Sequence, residues 1–427
     1  MSGPAFDPDK LRNPGPLGGR IPPLREHMRP LFALLRAVRP VCHVPFQSLV
    51  LVTRYDDVAE VLRNDSAFGV PYGPKIELMA GENFLLGFDD GDRYQRDRAL
   101  VVCTFPPADV RSLAERAAKR AGQILRDNPA GVDAMKALVT PVLLDICQDY
   151  FGVLVKDRDF PLWAMAASGY LFKPFGDDAA QRTQAEAGAQ RLRDAVDHSI
   201  KRAHGHIGGG GKPRTVIERL VEMQRRNHAE PSDTTILALI ITMIVAMVPT
   251  GTLAAGNMLE ILLRRPDMMA QAQAAAHTGD DDLLRRCLFE ALRFLPVSPV
   301  WPRDCKGDVG RDSFVLAPDT RHATPVRKGS RVLAATQSAM FDSRRVPRPR
   351  RFDPARPEFD PACPDSHSMV LGYGPHRCLG AAIASAVLPA IFKPLLRRPT
   401  LARAPGAKGR RLFYGIFPEE LSVTYQS

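Results

Sequence analysis

The sequence predicts a mainly α-helical protein with a small β part. Three observations carry that expectation. A long apolar helix candidate runs from Ser232 or Asp233, a good cap, to Arg265, and Pro266 follows. An Ala/Leu/Arg-rich stretch from Pro107 to Asn227 has helical periodicity. Strand-like pieces are short and mostly late, as in SFVLA and SRVLAAT after residue 312.

Taken in order, residues 1–20 read as an irregular Pro/Gly-rich lead. SLVLVT, Ser48 to Thr53, is a strand of β-favouring residues, and Asp56 or Asp57 is placed to cap a short helix, DVAEVLR. A second helix starts near Asp92, where Asp90 and Asp92 put negative charge at its N-terminal end. The 107–227 stretch is broken by HGHIGGGGKPR at 204–214. A phosphate loop needs Gly-Lys-Ser/Thr, and here Lys212 is followed by Pro213, so the run reads as a flexible connection. His204 and His206 could bind a metal, but no third ligand lies near them in sequence.

The uninterrupted apolar part of the long helix, Ile236 to Val248, falls short of the ~20 residues that a membrane span needs. It reads as a central buried helix, with Met243, Met247 and Met258 as core fillers. DDLLRRCLFEALRFLP is an amphipathic helix ended by Pro296. An irregular Pro/Arg-rich region covers 343–366, and a final helix follows Gly380, where Pro389 and Pro394 imply a bend or an early end.

Composition narrows the class. With 45% hydrophobic and 25% charged residues in 427, the chain is globular rather than fibrous or disordered. The balance of 58 Lys plus Arg against 47 Asp plus Glu, +11, favours acidic partners. The first thirty residues hold no apolar run, which argues against a signal peptide or membrane anchor and for a cytoplasmic protein. Seven scattered cysteines with no C-x-x-C pair argue against a disulfide framework or a structural zinc site. No nucleic-acid-reading motif is present, and the basic runs are interrupted by Pro.

The sharpest local signal is LGYGPHRCLG, residues 371–380. A lone Cys378 among Gly372, Gly374 and Gly380, at the mouth of a helix, suits a thiolate: glycine permits tight turns, and free amides and the helix N-terminus stabilise negative charge. Such a sulfur could be a metal ligand or a covalent nucleophile.

The segment resembles the haem-binding loop of the cytochrome P450 family, Phe-x-x-Gly-x-Arg/His-x-Cys-x-Gly. Gly374, His376, Cys378 and Gly380 match, and Leu371 stands where the family usually has Phe. The resemblance extends over about residues 20–425 and implies one domain, 1–427, in the family's α-rich triangular prism with a small β subdomain. It implies haem b ligated by Cys378. It implies a structural pair, Glu290 and Arg293, completed by Arg351 from PRRFDPARP. It points to Tyr94, Arg98, Arg303 and His376 as partners of the haem propionates, Arg being suited to carboxylates by its planar fork.

On the long helix the family's acid-alcohol pair falls at Pro249 and Thr250, with a shifted register placing Thr252 there instead. Proline cannot relay a proton, so the relay is lost or rerouted through water. The resemblance implies a monooxygenase using O2 and electrons from an acidic ferredoxin or flavodoxin. A small organic substrate would lie near Thr250, Ala246 and the loop Val70–Phe88. Basic residues between Arg344 and Arg356, and again between Arg397 and Arg411, suit such a partner. Pro249 leaves two alternatives open: a peroxide-driven peroxygenase or hydroperoxide-rearranging enzyme, and a haem-binding protein without activity.

Overall fold

The computed structural model describes residues 6–7, 28–173, 178–227, 230–356, 367–406, 412–414 and 417–426. The described chain opens with α1 (Met28–Val38), which buries Phe32, and a hairpin of β1 (Val41–His43) and β2 (Leu49–Val52). Then come α2 (Tyr55–Arg63), β3 (Phe68–Gly69), α3 (Gly73–Ala80), α4 (Asp92–Thr104), α5 (Pro107–Asp127) and β4 (Gly131–Asp133). Next is α6 (Thr140–Ile146), flanked by π-turns at Ala134–Val139 and Cys147–Phe151, and then α7 (Phe160–Leu171), α8 (Ala179–Gly208) and α9 (Val216–Arg226). The long helix α10 (Asp233–Arg264) leads to α11 (Pro266–Thr278) and α12 (Asp281–Phe294). Strands β5 (Trp301–Cys305), β6 (Ser313–Leu316), β7 (Thr324–Arg327) and β8 (Arg331–Ala334) precede α13 (Thr336–Ala339). After α14 (Ala381–Leu396) come β9 (Ala402–Arg403), β10 (Leu412–Tyr414), β11 (Phe417–Glu420) and β12 (Ser422–Thr424).

Several of these elements differ from the sequence reading. Helix α2 starts at Tyr55, ahead of both aspartates; Arg54 occupies its cap without a side-chain bond. Asp56 and Asp57 lie in the first turn, where their charge complements the helix dipole instead of capping it. Helix α8 runs straight through His204 and His206 to Gly208, so the break spans only 209–215. The two rings are spent locally: His204 Nε2 lies 2.9 Å from Asp233, and His206 Nε2 lies 3.3 Å from the Lys212 carbonyl. Helix α14 neither ends early nor breaks at Pro389 and Pro394, which both lie inside it. It packs along α5, and tertiary burial outweighs the two missing backbone donors.

Helix α10 is the central strut. Ser232 Oγ accepts the Thr235 amide at 3.1 Å to start it, and the helix continues through Pro249. It touches α3, α7, α8, α12 and α14. Among the described residues it alone is long and apolar enough to cross a membrane, yet most of that stretch is buried in the core. The main sheet has the order β1-β2-β8-β5-β3. The β2–β8 pair is parallel, with Val50 opposite Val332, and β8–β5 is antiparallel, with Val332 opposite Arg303. That register sets Arg303 in the sheet's interior and Gly69 beside Asp304.

Candidate active site

The Cys378 loop is shaped by its glycines. Gly374 has φ +74°, and a Cβ there would stand 2.4 Å from the Leu62 carbonyl oxygen, so only glycine lets the loop press on the end of α2. Tyr373 packs edge-on to Tyr55 of the same helix, at 6.4 Å between centroids. The Arg377 amide donates to the Gly374 carbonyl at 3.0 Å and the Cys378 amide to Leu371 at 2.8 Å, a turn that delivers Cys378 to the mouth of α14. Gly374→Ala is therefore expected to cost about 2 kcal/mol or more, left-handed strain of about 1–2 kcal/mol with the clash added to it. Thermal unfolding of the purified protein checks it.

Cys378 is enclosed by protein yet bare, as a side chain facing an internal space is. Burial raises its thiol pKa, against opposing pulls from the Gly380 amide and Arg377. A thiol so placed is a poor free nucleophile, whereas a bound cation would hold it as thiolate. Along the mostly buried middle of α10, Ala246 is exposed and Thr250 partly so, which marks a second open face.

The four residues assigned to carboxylate binding divide two and two. Arg98 is exposed and has no ion-pair partner among the described residues. Arg303 is 3% exposed; its Nε has no partner, and one of its amino groups donates only to the Pro302 carbonyl at 3.0 Å. Tyr94 and His376 are instead held by protein. The Tyr94 hydroxyl donates to the Pro375 carbonyl at 2.6 Å, and its ring stacks edge-on to His376 at 4.7 Å. Burial pushes the Tyr94 phenol up to about 12, so it is a neutral donor already spent on the backbone. His376 Nε2 is bonded to Asp65, which also accepts the Asp90 amide at 2.9 Å. His376 therefore offers a carboxylate only its Nδ1, which is buried without a partner.

The threonines of α10 separate cleanly. Thr250 donates to the Ala246 carbonyl on the open face. Thr252 is fully buried, donates to the Val248 carbonyl at 2.8 Å and lies 3.4 Å from Thr140 Oγ1. The shifted register would need Thr252 on the open face, whereas its hydroxyl is buried and bonded within the protein. Pro249 is buried too, and it leaves the Val245 carbonyl without its regular backbone donor.

Behind the loop lies a buried charge cluster. Arg293 grips Glu290 with two parallel bonds of 2.7 Å, the side chains 1% and 4% exposed. It also donates to the carbonyls of Met340 (3.1 Å), Pro349 (2.9 Å) and Arg351 (3.2 Å). The guanidinium that completes the pair belongs to Arg356, 3.5 Å from Glu290 and buried, and not to Arg351. The Arg351 side chain is exposed; that residue contributes only its carbonyl, to Arg293 and to Arg356. The chain bends back at Phe352–Asp353, whose Asp353 amide also bonds Glu290 at 3.0 Å, and this carries the later arginine inward.

Among the described residues no group of three or more His, Cys, Asp and Glu could hold a bare metal ion, His204 and His206 included. A single enclosed sulfur with unpaired arginines instead fits a metal carried by a prosthetic group with anionic arms, as haem is. The family model for cytochrome P450 matches residues 39–410. The chain belongs to the cytochrome P450 family. It is 27% identical over 380 residues to the mycinamicin IV hydroxylase/epoxidase of Micromonospora griseorubida, covering 85% of this chain and 86% of that one. To the cytochrome P450 monooxygenase PikC of Streptomyces venezuelae it is 26% identical, covering 87% and 84%. The crystal structure of CalO2 superposes with a TM-score of 0.76 at 22% identity over 99% of each chain, a likeness of fold. The protein is thus a P450-type enzyme, and its family implies a haem cofactor.

Sequence reasoning missed Asp65 and Arg356. Asp65 stands 311 positions from His376, so no local pattern links them. Arg356 was legible in principle: it lies five residues past Arg351, beyond a Phe-Asp-Pro turn signal.

Proposed function

We propose that this P450 is a monooxygenase that holds haem b through Cys378 and oxygenates a small organic molecule with O2 and two electrons from an acidic ferredoxin or flavodoxin. The observation that carries the reading is the enclosed, bare Cys378 accompanied by arginines, Arg98 and Arg303, that lack anionic partners. When bound, haem supplies the activation of oxygen and its transfer to substrate. Arg98 and Arg303 would hold its carboxylates. Ala246 and Thr250 would border the substrate, as would the loop Val70–Phe88. Because the Thr250 proton is directed to the Ala246 carbonyl, its oxygen lone pairs remain to accept from water, and that hydroxyl would position the water that delivers protons in place of an acid at 249. One continuous apolar core from Val41 to Tyr425 supports the single-domain reading, and the six free thiols among the described residues support a reducing, cytoplasmic compartment.

The donor would dock on the basic surface of 344–351. Arg345 pairs with Asp56 at 2.8 Å on α2, the helix against which the Cys378 loop rests. Arg344 is paired with Asp342 at 3.2 Å and Arg403 with Glu260 at 2.9 Å, which leaves Arg348, Arg350 and Arg351 exposed for a partner. Lys408, Arg410 and Arg411 lie outside the described residues. Reversing charge at Arg348 and Arg350 is expected to slow reduction by an acidic ferredoxin several-fold at low salt and little at high salt. Stopped-flow reduction across a salt series reads this.

Pro249 favours one second reading, a peroxide-driven enzyme, since an oxidant already reduced does not need the missing acid. Turnover with NADH, ferredoxin and reductase, against turnover with hydrogen peroxide alone, separates the two. The monooxygenase reading expects product only with the electron chain, and efficient product with peroxide alone overturns it.

A further inference from the structure

Tyr72 stands at the head of α3, 2% exposed, and its hydroxyl has no hydrogen-bond partner. Its ring meets Phe172 at 5.9 Å, and Phe172 meets Trp301 of β5 at 5.8 Å. Because β3 pairs Gly69 with Asp304, the chain runs on to Tyr72 from beside Arg303, whose Nε is likewise buried and unpartnered. After burial, each is the other's leading electrostatic neighbour.

Leaving a buried hydroxyl unmatched costs about 1–3 kcal/mol, and a phenylalanine would fill the same aromatic cluster without that cost. A neutral phenol and a guanidinium both have protons to give, so what fits between them is an acceptor carrying negative charge. The neighbouring carboxylates do not supply it, although Asp65 keeps one buried oxygen, Oδ1, that bonds to neither Tyr72 nor Arg303. Asp65 holds His376 and the Asp90 amide; Asp89 holds Lys306 at 3.0 Å and the Val70 amide at 2.6 Å; Asp304 holds Arg331. With the Tyr94 hydroxyl tied to Pro375 and His376 Nε2 to Asp65, one donor assigned to the cofactor's arms is diverted and a second keeps only its Nδ1.

We propose that the Tyr72 hydroxyl, together with Arg303, binds a carboxylate arm of the prosthetic group, taking up a donor role that Tyr94 has given up. The inference rests on the haem reading above. Tyr72 lies in the stretch that also borders the substrate, so the shared chemistry is a carboxylate, and a substrate acid is the competing source.

The test uses the haem-loaded enzyme and Tyr72→Phe, which removes one oxygen and keeps the ring. Haem transfer to excess apomyoglobin is expected to be about tenfold faster in the variant, the lower end for a lost hydrogen bond to a charged group. The propionate bending band in the resonance Raman spectrum should shift, and with haem dimethyl ester the two proteins should lose cofactor at equal rates. Thermal unfolding of the apo form should be unchanged or raised, since the variant removes an unmatched hydroxyl, and a lowered midpoint would make the faster loss structural and overturn the assignment. Equal haem retention also overturns it. If retention is equal and a fatty acid such as laurate loses its spin-state shift, the hydroxyl serves a substrate acid instead. Wild-type protein that takes up no haem overturns the underlying reading, a result distinct from haem-loaded wild type and variant behaving alike.

Discussion

Cys378→Ser is expected to abolish the thiolate-type band of the reduced carbon monoxide complex and to take oxygenation below detection. Among the described residues no second sulfur stands in the loop to replace it. The described cysteines other than Cys378 are Cys42, Cys103, Cys147, Cys287 and Cys305, and none lies in the 371–380 loop. Serine keeps the turn, because that turn is made by backbone bonds from Arg377 and Cys378 to Gly374 and Leu371. The variant should therefore fold, and any haem it holds should show the spectrum of an oxygen- or nitrogen-ligated or five-coordinate iron. A wild-type-like thiolate band in Cys378→Ser would remove the ligand from the loop.

Arg293→Ala is expected to produce the largest loss of stability, about 3–5 kcal/mol, because it strands a buried carboxylate, Glu290, without its two-pronged partner. The loss has a second part. Three carbonyls, of Met340, Pro349 and Arg351, lose a charged donor at once, so the 340–353 segment loosens along with the pair. Arg356→Ala is expected to cost less, since at 3.5 Å it is the weaker partner, but clearly more than Arg351→Ala, whose exposed side chain should be worth under about 0.5 kcal/mol. Urea unfolding of the three variants, compared at constant slope, ranks them. An Arg351 variant as unstable as that of Arg293 would contradict the arrangement.

Much of this architecture was legible because it is written locally. Ser232 before an apolar run marks the start of α10, Asp92 marks α4, and Pro266 begins α11 directly after α10 ends. The spacing of Gly374, Cys378 and Gly380 marks the loop, and Gly374 meets a local demand for left-handed backbone, at φ +74°. Where the reading failed, the deciding partner lay far away or packing outweighed propensity. The direction of His376 depends on Asp65, and the continuity of α14 through Pro389 and Pro394 depends on α5. The exchange of Arg351 for Arg356 turns on a reversal of the backbone at Asp353, which spacing along the chain does not encode. The diversion of Tyr94 to the Pro375 carbonyl is of the same kind, a contact across 281 positions.

The Arg293 hub also has a meaning in time. Its bonds to Met340 and Pro349 cross 47 and 56 positions, a span that contains strands β5 to β8. The entropy of closing so long a loop is spent on the first contact; the second and third carbonyls then lie within a dozen residues and add at little further cost. The segment 340–353 therefore docks onto α12 as one unit, after that helix exists. Folding is therefore expected to run from the helical body outward to this strap, with Arg293→Ala speeding unfolding more than it slows folding.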